Sequence, residues 1–258
     1  MDYELLRIEE KCNGQLVQAT LGHAPANIIS SKMMGEISGL LDEAEKAPHK
    51  KMIVFRGEGK HFSFGASVEE HNADRVGDML PIFHTFIGKL LECNIPTLAQ
   101  VSGLCLGGAF ELALACTFIF ADETAKLGLP EIQLAVFPPP ATILLPLRCG
   151  DALASRIILT GEQLSATELH EGGVINKVVE AGKLDDAVSE FFEKQIAPKS
   201  ASSLRIATRA SRMTTCEHYR TFIGKIEDMY LKELMSTKDA NEGIQSFLEK
   251  RKPVWMDE

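Results

Sequence analysis

The chain has 258 residues, of which 45% are apolar and 24% charged, and it carries a net charge of −9. This fits one large globular domain or a core with a small appendage, and the acidic balance argues against non-specific nucleic-acid binding or an anionic membrane surface. No run approaches the ~18–20 apolar residues of a membrane span and no apolar leader follows Met1, so no membrane partner and a cytoplasmic location are expected.

In chain order, Gln15–Leu21 reads as an early strand, followed by the loop GHAPANIIS. Ser30 or Ser31 caps a helix whose apolar residues Met33, Met34, Ile37, Leu40, Leu41 and Ala44 recur at helical spacing, and Pro48 ends it. Met52–Phe55 is a short buried strand of the kind parallel sheets use. After the loop GEGKHFSFGASVEEH, Asp74 to Cys93 is helical, and Pro81 predicts a kink or a break into two shorter helices. Thr97–Val101 reads as a buried strand, Gly107-Gly108 as a tight junction, Ala109–Cys116 as a helix and TFIFAD as a further strand.

Ala125–Ile132 predicts a brief strand with a bend, and AVFPPPATILLPLRCG an apolar proline loop outside regular structure. A helix starts at Asp151 and stops at Gly161, SATELHEGG is a short helix with turns, and Val174–Val179 is a late strand. From Leu184 everything reads helical, with ASSLRIATRASRM and EHYRTFIGKIEDMYLKELM as separate helices. The apolar face there (Phe222, Ile226, Met229, Tyr230, Leu234) packs on the core or on another subunit. The βα alternation up to about residue 180 predicts a largely parallel, helix-covered sheet. Six cysteines without a CxxC pair predict neither a disulfide framework nor a zinc site, and Cys105 and Cys116 read as small core residues.

Three pieces carry chemistry. The junction before Ala109 leaves free N–H groups at a helix N-terminus, where negative charge is favoured. Gly108 admits a ligand close to the main chain, and Glu111 projects from the first turn near the same spot. The loop His61–Val68 is too apolar for a solvated turn and can offer a main-chain N–H, that of Phe64. Pro130-Glu131 places a carboxylate among apolar residues at a strand end, where desolvation would raise its pKa.

Together, FSFGAS, IPTLAQVSGLCLGGAFELALACTFIFAD and KLGLPEIQLAVFP resemble the enoyl-CoA hydratase/isomerase (crotonase) family over essentially the whole chain. The resemblance implies an α/β fold, a spiral of ββα units with a helical C-terminal segment: residues 1–195 as the core with the CoA and active sites, and 196–258 as helices used in trimerisation. It implies an oxyanion hole of two backbone N–H groups, at Phe64 and Gly108, gripping a thioester carbonyl, and a catalytic pair Glu111 and Glu131. It further implies an acyl-CoA substrate, no metal, no cofactor beyond the CoA of the substrate itself, and a homotrimer or dimer of trimers. CoA contacts are expected at Ala26, Phe64, Ala66, Ser67 and Val68. Lys250 could meet a CoA phosphate, although a cationic helix end is equally explained by the helix dipole.

The sequence departs from the family's general pattern at Ser67, at Phe64 and at Phe137-Pro138-Pro139-Pro140, where a glycine-rich turn is usual. These departures, with SASSLR and FLEKRKPVW, are similar to members that hydrate a cyclic conjugated dienoyl thioester in anaerobic benzoyl-CoA breakdown, with Phe137, Pro138 and Pro139 walling the acyl pocket. The competing expectations are a straight-chain enoyl-CoA hydratase or isomerase, and a non-catalytic acyl-CoA- or RNA-binding relative.

Overall fold

The computed structural model describes residues 3–67 and 76–258. The expected CoA contact Val68 and the helix start at Asp74 lie outside the described residues. Two layers of strand position everything that follows. The first begins with β1 (Leu6–Lys11), β2 (Leu16–Leu21), β3 (Met52–Gly57) and β4 (Thr97–Val101). The second contains β5 (Leu104–Leu106); β6 (Phe118–Asp122) returns to the first, β7 (Lys126–Gly128) and β8 (Gln163–Ser165) to the second, and β9 (Lys177–Val179) closes the first.

The six-stranded layer runs β1-β2-β3-β4-β6-β9, and only β1 and β2 pair antiparallel. Strands β2 and β4 are buried along their whole length, as a parallel sheet covered on both faces requires. The sequence reading missed β1 because LRIEEK buries only Leu6, and an edge strand with one wet face carries little apolar signal. Helix α1 (Ser31–Lys46), capped by Ser30, fastens that edge: Glu36 accepts the N–H groups of Glu4, Leu5 and Leu6.

The second layer, β5-β7-β8, is extended by two isolated bridges, Ser63 with Cys105 and Ile29 with Ala66. The chain therefore repeats one move: up a strand of the large sheet, sharply into the second layer, then into a helix. Helix α2 (Val76–Glu92) follows the segment 62–66, and helix α3 (Gly108–Ala115) follows β5. The break expected at Pro81 is absent, and α2 continues through it. Pro81 lies in the second turn, so the donor it lacks would have served only the exposed first turn at Gly77.

The proline loop is also corrected. Helix α4 (Pro139–Thr160) begins on Pro139 and Pro140, where the missing N–H groups would have had no helical partner. Gly150 (φ 76°, ψ 166°) bends it, so the stretch from Asp151 to the Gly161 stop is its second half, as expected. A capping box of Ser165 and Glu168 starts α5 (Ala166–Glu171), and α6 (Leu184–Phe191) follows. The two helices read between residues 201 and 235 are one, α7 (Ala201–Asp228), continued by a π turn at Met229–Glu233. Helix α8 (Lys238–Leu248) comes last. No helix among the described residues is long and apolar enough to cross a membrane.

Helix α3 is buried at every position. Its last carbonyls would be stranded without partners, and two guanidinium groups meet them: Arg148 donates to Leu114 and Cys116, and Arg212 donates to Ala115. Burial lowers both arginines, Arg148 to about 10, yet a cation at a helix C-terminus is electrostatically favoured. Arg148→Met leaves the carbonyls of Leu114 and Cys116 unpaired, and we expect a loss of about 2–3 kcal/mol, the scale of hydrogen bonds from a charged donor to buried acceptors. Urea denaturation checks this; an unchanged midpoint would mean that α3 is held by other contacts.

Candidate active site

A cavity of about 320 Å³ opens at the N-terminus of α3. Leu80 and Phe83 of α2, Leu106, Val136, and the expected wall residues Phe137, Pro138 and Pro139 make it largely apolar. The C-terminal helices roof it with Tyr230, Ile244 and Phe247. Among the described residues, two acidic side chains, Glu111 and Glu131, line it.

The backbone donors follow from register. Ser63 pairs with Cys105, tied by Phe62 and Ser63 N–H to the Leu104 carbonyl and by Leu106 N–H to Ser63. Three residues beyond this pair, Ala66 and Gly108 come side by side. Among the described residues neither of their N–H groups has an acceptor, and Gly108, at the first position of α3, has no intrahelical one to find. A Cβ on Gly108 would stand 3.1 Å from Ala66 Cβ, 3.2 Å from Phe83 Cζ and 3.3 Å from Ala66 N, so any side chain there would crowd the space between the two donors that glycine leaves open.

Phe64, the donor expected from the sequence, is different. Its N–H donates to the Ala26 carbonyl at 2.9 Å, and its ring stands edge-on to His61 at the cavity's margin. The unengaged loop donor is therefore Ala66. No pattern in the amino acids alone distinguishes the two, because the answer lies in which residue pairs with Cys105.

Glu111 sits in the first turn of α3, and its Oε1 accepts the Ala141 N–H at 2.9 Å. Glu131 is not at a strand end, as expected, but in a 3-10 turn, Pro130–Leu134. Gly107 turns under it with φ 53°; a Cβ there would lie 2.7 Å from Glu131 Oε1. Glu131 Oε2 is buried and has no hydrogen-bond partner among the described residues. Burial raises the Glu111 carboxyl well above the usual range, and the charge of Glu131 adds to this against the opposing bond from Ala141. Burial likewise pushes Glu131 up to about 7. At neutral pH such a pair can hold one proton on one member while the other is ionised, which is what concerted acid and base work needs.

Of the expected CoA contacts, Phe64 and Ala66 line the cavity, and Ala26 is joined to Phe64 through the backbone. Ser67 follows Ala66 directly, and exposed Lys250 comes three residues after Phe247. Sequence reasoning missed Ile244 and Phe247 as site residues and left Tyr230 as generic packing. A helical apolar stripe announces burial but not what it is buried against.

The chain matches the protein-family description "Enoyl-CoA hydratase/isomerase" over residues 11–258. It is 38% identical over 250 residues to cyclohexa-1,5-dienecarbonyl-CoA hydratase of Thauera aromatica, covering 97% of this chain and 96% of that one. It is 32% identical over 252 residues to carnitinyl-CoA dehydratase of Salmonella paratyphi B, covering 94% and 95%. Among solved structures, an enoyl-CoA hydratase/isomerase from Xanthobacter autotrophicus Py2 superposes with a TM-score of 0.86 at 26% identity, over 96% of this chain and 94% of that one. An enoyl-CoA hydratase from Mycobacterium avium subsp. paratuberculosis K-10 reaches 0.87 at 20% identity over 99% and 100%, a likeness of fold.

The raised Glu131 pKa has a consequence for stability. Near pH 4 both the folded and unfolded chains hold the proton on this carboxyl; as pH rises through about 7 the folded chain must ionise a buried group, and stability falls. Glu131→Gln removes that cost, so we expect the variant to exceed the parent by on the order of 2 kcal/mol near pH 8 and to match it near pH 4. Urea unfolding at the two pH values measures it; a parent as stable as the variant at the higher pH would contradict the desolvated carboxyl.

Proposed function

The chain belongs to the enoyl-CoA hydratase/isomerase family, and from that premise we propose that this hydro-lyase adds water to cyclohexa-1,5-diene-1-carbonyl-CoA. The product is 6-hydroxycyclohex-1-ene-1-carbonyl-CoA, and the step belongs to anaerobic benzoyl-CoA degradation. The observation that carries the reading is the pair of desolvated carboxyls facing two unengaged N–H groups across an apolar cavity walled by Phe137, Pro138 and Pro139.

Comparing substrate with product fixes where charge develops. Attack by water on ring carbon 2, the position conjugated with the thioester, drives electrons toward the carbonyl oxygen. Ala66 and Gly108 N–H would hold that oxygen, in a site dry enough for two preorganised donors to contribute several kcal/mol, roughly 3–4 each at the upper end. The dienolate then takes a proton at ring carbon 5, and the remaining double bond shifts to the carbon bearing the thioester; renumbered, this is the stated product. Addition directly across the other double bond would place no charge on the carbonyl, and the two donors would be idle. The ionised carboxylate takes a proton from water as the carbon–oxygen bond forms, and the protonated carboxyl delivers one to carbon. No electrons are transferred to or from the substrate, so the reading needs no redox cofactor, and CoA enters as part of the substrate.

The rigid wall supports a cyclic acyl group. Pro138 to Pro140 cannot follow a flexible chain, whereas a flat ring meets them without ordering cost. A homotrimer or dimer of trimers belongs to the same reading, supported by Ile206, Met213 and Phe222 exposed along α7.

Two measurements test the proposal. Gly108→Val places a side chain in the space between the two donors, and we expect turnover to fall about 10²-fold or more with circular dichroism unchanged; substantial activity in the folded variant would remove Gly108 from the oxyanion role. For the substrate, kcat/KM for the cyclic dienoyl thioester should exceed that for crotonyl-CoA by roughly two orders of magnitude, since each methylene left without contacts forfeits up to ~0.8 kcal/mol. Equal or better use of crotonyl-CoA would leave a straight-chain hydratase.

A further inference from the structure

Among the described residues six buried side-chain nitrogen or oxygen atoms have no hydrogen-bond partner, and two of them, Glu131 Oε2 and the Tyr230 hydroxyl, belong to residues that line the same cavity. Tyr230 is 1% exposed and lies in the π turn that continues α7. Its ring packs edge-on against Phe137 with centroids 5.3 Å apart. That packing asks nothing of the hydroxyl: a phenylalanine would fill the same space without stranding a polar group, which ordinarily costs stability. The two orphan atoms also complement each other. A carboxylate oxygen accepts, a phenol donates, and a molecule between them would need both a hydrogen to give and a lone pair to offer.

We propose that the Tyr230 hydroxyl donates a hydrogen bond to the oxygen of the water that is added, that Glu131 Oε2 holds the same water, and that Tyr230 afterwards grips the hydroxyl of the product. The inference rests on the hydratase reading but not on the ring, since every hydration must seat a water molecule. In the step, one O–H bond of water breaks as its proton passes to the ionised carboxylate. The oxygen bonds to carbon with one lone pair and accepts from Tyr230 with the other. Carbon receives its proton from the protonated carboxyl, and Tyr230 keeps its own throughout. Burial first, then the charges of Glu131 and Glu111, raise the phenol's pKa, so it remains a donor at neutral pH.

Tyr230→Phe tests this while preserving the ring stack on Phe137. We expect kcat to fall about 10- to 100-fold, with KM for the thioester changed by less than about 3-fold, because a donor to a developing C–O bond is lost while the wall and the backbone donors remain. Binding separates the hydroxyl's role from mere packing. The hydroxylated product should bind the variant about 10-fold more weakly, whereas its analogue lacking the hydroxyl, cyclohex-1-ene-1-carbonyl-CoA, should bind as to the parent. Phe137→Leu disturbs the stack and keeps the hydroxyl, so it should weaken both ligands alike. Parent-like turnover in Tyr230→Phe, or equal weakening of the two ligands, overturns the inference. The comparison is made with whichever enoyl thioester the parent hydrates, using that substrate's own hydroxylated product and its analogue without the hydroxyl. Failure of the cyclic substrate with the parent therefore counts against the proposed substrate, and a failure at Tyr230 counts only against the hydroxyl.

Discussion

Helix α3 is a short, wholly buried element, and burying a helix obliges the fold to satisfy both of its ends. At the C-terminus the obligation is met from within, by Arg148 and Arg212 on the carbonyls of Leu114, Ala115 and Cys116. At the N-terminus it is left open: the Gly108 N–H meets no acceptor among the described residues, and the helix dipole adds to its pull on negative charge. One end closed by cations and the other open to a cavity gives the site its polarity. Glu111, carried one turn into the same helix, is then fixed relative to the open donor by the helix itself.

The second donor depends on pairing between strands, and here the sequence was only partly legible. That a loop after β3 and a glycine junction after β4 each offer a main-chain N–H could be read from buried runs followed by Gly65 and by Gly107-Gly108, and the family resemblance implied that the two converge. Which loop residue faces Gly108 could not, because it is set by the bridge of Ser63 to Cys105; a shift of two residues separates Phe64, whose N–H is engaged with Ala26, from Ala66. The proline run misled for a related reason. Consecutive prolines exclude a helix interior but suit its first turn, and only the tertiary setting shows that α4 starts there. Strand β1 escaped because its outer face is wet, and Tyr230 because an apolar stripe does not say what it covers. The buried strands and the capped α1 were plain, since each rests on local spacing or residue type, whereas the pairing of Glu111 with Glu131 came from the family resemblance and the turn that carries Glu131 was not foreseen.

Desolvation links the chemistry to stability. Glu111 and Glu131 are raised chiefly by burial, and each would be less costly in water. N–H groups at Ala66 and Gly108 and side-chain atoms on Glu131 and Tyr230 that have no partner among the described residues add to the same strain on the folded state. These are complementary deficits: two donors lacking an acceptor, an acceptor lacking a donor, and a phenol lacking either. A thioester carbonyl and a water molecule would satisfy the set together, so the cavity is preorganised by polar groups the fold has left unpaired.

The dryness on which this depends comes from the end of the chain. Ile244 and Phe247 of α8, with Tyr230, line the cavity together with residues contributed by α2, α3 and the 3-10 turn. Helix α8 sits so close to that turn that even a Cβ on Gly243 would lie 2.1 Å from the Leu134 carbonyl oxygen. The turn that α8 presses on is the one that carries Glu131. Any movement of α8 that widens the cavity would therefore also loosen the backbone beneath Glu131 and admit water that would lower its pKa. The last helix thus both lines the cavity and packs on the turn that carries Glu131, so it belongs to the cavity as much as to the outer shell of the fold.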